Sequence, residues 1–103
     1  MIDLDSHSLQ LIHAILKKHL PGVEVKAFGS RTTGKAKPFS DLDLVLIDAK
    51  PIPIEKINAL KFEFSNSDLP IMVDLVDWQL ISEEFREKIK VDAQSFPGTA
   101  QNS

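Results

Sequence analysis

Apolar residues recur at two different periods along this chain. Leu9, Ile12, Leu16 and Leu20, with Ile15 widening the stripe, repeat near the helical period and predict an amphipathic helix over 6–20. Ser6 offers a side-chain cap at its start. Lys17, Lys18 and His19 suit the dipole of its last turn, and Pro21-Gly22 stops it. Val23, Val25 and Ala27 then alternate with Glu24 and Lys26, as a half-buried strand over 23–28 requires. A denser run, Leu42 with Leu44 to Ile47, predicts a second strand over 42–47, and Pro51 and Pro53 mark the turn after it. Ile54, Ile57, Leu60 and Phe64 space out a helix over 54–65, which Asn66-Ser67-Asp68 and Pro70 end. Residues 71–76 read as a third strand with Asp74 embedded in it. Ser82 caps a last helix, with Glu83 and Glu84 in its first turn and Phe85 and Ile89 on its buried side. The expected order is α-β-β-α-β-α, an α/β (α+β) domain in which helices pack on a small mixed sheet.

No repeat or linker divides the chain. The expected organisation is one domain over 1–96, followed by a small, polar tail over 97–103 that is expected to be disordered. At 103 residues there is material for a single core. A hydrophobic fraction of 43% and a charged fraction of 26% are those of a soluble globular chain. No apolar run approaches the ~18 residues of a membrane span, and Met1-Ile2-Asp3-Leu4-Asp5 lacks the basic-then-apolar character of a signal peptide. The absence of cysteine removes disulfides and thiolate metal sites and fits a reducing cytoplasm, the expected location. A net charge of −3 argues against an extended nucleic-acid surface, leaving only a local basic loop at Arg31, Lys35 and Lys37.

The chemistry concentrates between Phe28 and Ile47. Asp41 and Asp43, two residues apart at a strand, project to one face about 6.5–7 Å apart at the backbone. An acidic pair entering an apolar strand is costly unless neutralised, and a divalent metal is the natural neutraliser. The crossover through the helix at 54–65 makes strands 42–47 and 71–76 parallel and, as neighbours, about 4.8 Å apart, which brings Asp74 near the pair. Asp77, beside Trp78, reads instead as a strand-end carboxylate in water. His7, His13 and His19 are evenly spaced, but each step of six turns roughly 240° around a helix, so they share no face and are not expected to bind metal. Gly29 to Lys35 almost meets the phosphate-loop pattern G-x-x-x-x-G-K-[ST]. It fails at Ala36, where a metal-binding hydroxyl belongs, and at Pro38, which interrupts the helix that should follow.

Taken together, Gly29-Ser30-Arg31, Gly34 and Ser40-Asp41-Leu42-Asp43-Leu44 resemble the nucleotidyltransferase superfamily that includes DNA polymerase beta. They are especially similar to its minimal nucleotidyltransferases, whose third acid on a later strand matches Asp74 in Val73-Asp74-Leu75-Val76. The likeness runs from about Leu9 to Ile89. It implies a polymerase beta palm-like fold and two Mg²⁺ ions (Mn²⁺ as a substitute) held by Asp41, Asp43 and Asp74, with Asp74 nearest the nucleophile and able to take its proton. It further implies ATP or another NTP bound by Gly29, Ser30, Arg31, Lys35 and Ser40. At this length the chain has little room for an acceptor-holding domain, so the acceptor is expected on another chain. By resemblance this is a helical HEPN-domain protein encoded nearby, for which the chain would be the antitoxin, moving AMP onto a partner hydroxyl. A non-catalytic nucleotide- or partner-binding subunit, and transfer to a small molecule or an RNA end, remain the alternatives at this point.

Overall fold

The computed structural model describes residues 2–99. The first helix, α1, spans Ser6–His19 and is followed by strand β1, Glu24–Phe28. A single helical turn, α2, covers Ser30–Thr33, and strand β2 covers Leu42–Ile47. Helix α3, Ile54–Ser65, crosses over to strand β3, Val73–Asp77, which ends in a 3₁₀ turn, Trp78–Leu80. Helix α4, Glu83–Asp92, and a two-residue strand, β4, Gln94–Ser95, complete the elements. The sheet runs β3-β2-β1-β4, with β2 and β3 parallel and the other pairs antiparallel. The predicted mixed sheet with packed helices is therefore present, with α2 and β4 added to the expected order.

Helices α1 and α3 dry one face of the sheet. Val25, Ala27, Leu42, Leu44 and Leu46 point into it and pack with Ile12, Leu16, Leu60 and Phe64 of α1 and α3 in one buried cluster. Burial of such side chains contributes about 1.5–3 kcal/mol each. The alternate positions face the other way, where α4 lies and Ile89 lines a small cavity with Glu24, Lys26 and Ile47. Phe96, fully buried after β4, closes the cluster from the chain's far end.

Several local expectations shift. The cap of α1 is Asp5, not Ser6: its carboxylate accepts from Ser8 N at 2.7 Å, and Ser6 is already helical. Ile54 stands 64% exposed at the first position of α3, because the buried stripe begins a turn later. β3 starts at Val73, since Met72 O accepts from Leu42 N and the pairing register counts from there. Asp77 is not a free carboxylate. It accepts from Ile52 N at 2.7 Å and caps the 3₁₀ turn through Gln79 N. Ser82 caps α4 through Phe85 N, as the sequence predicts. None of the three histidines shares a site with another: His13 Nε2 meets Gly98 O, and His19 Nε2 lies 2.6 Å from Glu63 Oε1. At the head of the tail expected over 97–103, Thr99 hydroxyl donates to Phe96 O and Val25 O, and Gly98 O meets His13 of α1. Residues 100–103 lie outside the described residues.

Two substitutions on α3 separate the faces. Leu60→Ala is expected to cost about 2–5 kcal/mol in urea unfolding, through lost burial and the cavity left behind. Ile54→Ala should stay within about 0.5 kcal/mol.

Candidate functional site

The α4 side of the sheet carries one row of residues that the pairing register brings level. Phe28 on β1 pairs with Asp43 on β2, and Asp43 pairs with Asp74 on β3. Side chains of paired residues share a face, so two carboxylates from adjacent strands stand side by side with an aromatic ring next in line. Phe85 of α4 meets Phe28 edge-on, ring centroids 5.9 Å apart at 83°. The rings put apolar surface beside Asp43, which is half-buried, whereas Asp74 and Asp41 are exposed. Asp41 lies one residue ahead of β2 and adds its charge from the strand's entry.

These surroundings hold the Asp43 carboxyl above the ordinary carboxylate value. Burial is the largest cause. The negative charges of Asp74 and then Asp41 follow, and a side-chain hydrogen bond with Asp74 adds to them. The three sequence-predicted acids are thus electrostatically one group.

Gly29 completes the site. It leaves β1 at φ 81°, in the region where a β-carbon is strained, and starts the turn into α2. A β-carbon there would stand 2.5 Å from Asp43 Oδ2, so the backbone of the turn lies directly against the carboxylate. Ser30 opens α2, which Gly34 closes in the left-handed region, with Lys35 N donating to Ser30 O. Lys35 and Lys37 are exposed and form no ion pair among the described residues.

Two residues expected at the phosphates have their side chains engaged with the loop itself. Ser40 is taken up in a turn: its hydroxyl accepts from Lys37 N at 2.9 Å and its N–H donates to Lys37 O. Arg31 is 6% exposed, and its guanidinium donates to four backbone carbonyls, those of Asp3, Lys37, Pro38 and Ser40. Its N–H groups are largely spent within the fold. Sequence reasoning missed the Phe28–Phe85 wall. The signal was present in Phe28 immediately preceding Gly29, but the register that sets it opposite Asp43 is tertiary.

The donor set suits a hard cation. All three acids offer carboxylate oxygens, and burial first, then the charges of Asp74 and Asp41, raise the Asp43 carboxyl. Among the described residues, no group of three or more His, Asp or Glu side chains is placed to hold a metal ion. The acids instead form an open face, which fits Mg²⁺, an ion that takes one or two carboxylates and keeps places for water and substrate phosphates. Asp74 also borders a cavity of about 520 Å³ that runs past Met72 and Leu69 to Phe64 and Lys61 of α3. It lies at the β3 edge, across Asp43 from Gly29.

Comparison with known proteins gives three findings. The family described as "Nucleotidyltransferase domain" matches residues 9–100. A Haemophilus influenzae protein named "Probable protein adenylyltransferase MntA" is 47% identical over 89 residues, which is 86% of this chain and 78% of that protein. Among solved structures, a toxin–antitoxin with AMP-PNP superposes at TM-score 0.73 and 23% identity, covering 88% of this chain and 73% of that one. A chain of the complex between a tri-AMPylated Shewanella oneidensis HEPN toxin and its MNT antitoxin superposes at TM-score 0.64 and 21% identity, with the same coverage. These two superpositions establish likeness of fold.

Asp43 gives a signed test on the metal-free chain. A carboxyl raised by the fold stabilises it while protonated, below the ordinary value of 3.8, and that contribution is lost as pH rises through the folded value. Asp43→Asn, which cannot ionise, should therefore gain stability over the parent as pH rises from about 3 to about 7, and show no gain at the acid end. Urea midpoints in chelator read this; an Asn variant less stable at neutral pH would contradict it. Gly29→Ala should cost about 1–3 kcal/mol in the same assay, from strained φ alone.

Proposed function

This chain belongs to the nucleotidyltransferase domain family, and from that premise we propose that it transfers AMP from ATP onto a hydroxyl of a partner protein, as the antitoxin of a pair with a helical HEPN-domain toxin. The observation that carries the reading is the level row of Asp43 and Asp74 with the Gly29 backbone against it. Kinship with a protein named an adenylyltransferase supports AMP as the group moved. The HEPN partner is supported by the toxin–antitoxin complexes among the structural neighbours.

Asp41, Asp43 and Asp74 would hold Mg²⁺, which when bound supplies charge neutralisation at the attacking and leaving oxygens. Gly29 admits the triphosphate close to the backbone, and Ser30 offers a hydroxyl and an N–H to it. Lys35, exposed and in no ion pair among the described residues, reaches the β- and γ-phosphates. The acceptor hydroxyl approaches from the Asp74 side, where the 520 Å³ cavity opens, opposite the turn that receives the phosphates. Its oxygen bonds to the α-phosphorus as the bond from that phosphorus to the β-phosphate bridging oxygen breaks. Pyrophosphate leaves with that electron pair, and the hydroxyl proton passes to Asp74, whose exposure lets it return the proton to water. Asp43, desolvated by the aromatic wall, has the stronger need of a cation and is the carboxylate that binding most relieves.

Among the described residues no helix is long and apolar enough to cross a membrane.

The test uses α-labelled ATP, Mg²⁺ and the HEPN protein encoded beside this gene. Label is expected on a partner tyrosine, and Asp43→Asn and Asp74→Asn are each expected to cut the rate by at least about a hundredfold. Chelation should abolish transfer. Tight ATP binding with no label on any acceptor, or label moving only to RNA or a metabolite, would defeat the proposal.

A further inference from the structure

Among the described charged residues only Glu24 and Arg31 are buried. A buried cation costs several kcal/mol unless its hydrogen bonds are made. Arg31 makes them with the backbone: among the described residues it forms no salt bridge. Nε donates to Ser40 O at 3.0 Å, and Nη1 to Asp3 O at 2.7 Å. Nη2 donates to Lys37 O at 3.3 Å and Pro38 O at 3.1 Å. Asp3 N in turn donates to Arg31 O at 2.7 Å, so Asp3 is tied to this residue through both its N–H and its carbonyl.

The places of these carbonyls matter. Arg31 directly follows the Gly29-Ser30 turn that lies against Asp43, whereas the carbonyls of 37, 38 and 40 directly precede Asp41. The intervening loop has no regular structure after Gly34, and its other internal brace is the short Lys37–Ser40 turn. One planar fork thus spans the gap between the two halves of the acidic motif.

We infer that Arg31 is a positioning residue that sets the spacing between the Gly29-Ser30 turn and Asp41, and with it the carboxylate arrangement offered to a divalent cation. The inference rests on the metal-binding part of the reading above. It replaces contact with phosphate as the task of this side chain. Lysine cannot substitute: a point charge with three donors keeps the charge but cannot serve four separate carbonyls.

The probe is Mn²⁺, counted by the electron paramagnetic resonance of the free ion, titrated into the full chain with a non-hydrolysable ATP analogue. Arg31→Lys is expected to raise the half-saturating Mn²⁺ concentration about 10–100-fold, with thermal unfolding showing the variant folded at the titration temperature. In Arg31→Ala, low-millimolar guanidinium, far below denaturing levels, should recover Mn²⁺ binding while methylammonium does not. If the alanine variant does not fold, the lysine variant alone decides. Wild-type Mn²⁺ half-saturation in Arg31→Lys overturns the inference, as does a loss in a folded Arg31→Ala that methylammonium repairs as well as guanidinium. Normal Mn²⁺ binding by the parent chain with no acceptor labelled would defeat the transfer reading and leave the role of Arg31 standing.

Discussion

Two like charges held side by side are the constraint on which the rest of this molecule depends. Asp43 and Asp74 come from strands that run parallel, and parallel neighbours cannot be joined by a hairpin. The chain must leave the sheet, cross it as α3 and return, and the register of that return decides whether the carboxylates meet. A slip of one residue would turn Asp74 to the dry face. The apolar side chains of β2 and β3 prevent this, because Leu42, Leu44 and Leu46 with Val73 and Leu75 must all face α1 and α3 at once. Hydrophobic burial on one face thereby enforces electrostatic repulsion on the other.

The second face is arranged to keep that repulsion local. α4 covers the end of the strands near Ile47, and its Phe85 reaches only as far as Phe28. Beyond the rings the row opens to solvent at Asp74 and Asp41. Asp43 therefore sits between an apolar wall and two exposed charges, while the glycine turn approaches from above with backbone alone. The arrangement leaves space on the side where a polyanionic substrate and its counter-ions would enter.

Much of this was legible in the sequence. The bounds of β2 and α3 follow from their apolar runs and their flanking prolines, and the crossover rule carried Asp74 to its neighbours without any coordinates. What was not legible is tertiary. β4 is two residues long, too short for any period, and forms because Phe96 finds the core. The cap of α1 moved from Ser6 to Asp5 because both residue types cap well and only the entry angle of the chain chooses between them. Arg31 reads as a phosphate ligand in the sequence because a cation beside a Gly-Ser turn ordinarily is one. Its burial depends on carbonyls from residues 3 and 37–40, which no local pattern brings together.

The division of the sheet into two faces also bears on how such a protein can change over generations. The cluster that holds the chain together contains none of the acids, and the fold spends stability to keep Asp43 charged. Loss of the Asp43 charge therefore carries no folding penalty. A duplicated gene released from selection for turnover could shed its carboxylates and persist as a shape, free to be kept for whatever else its surface touches.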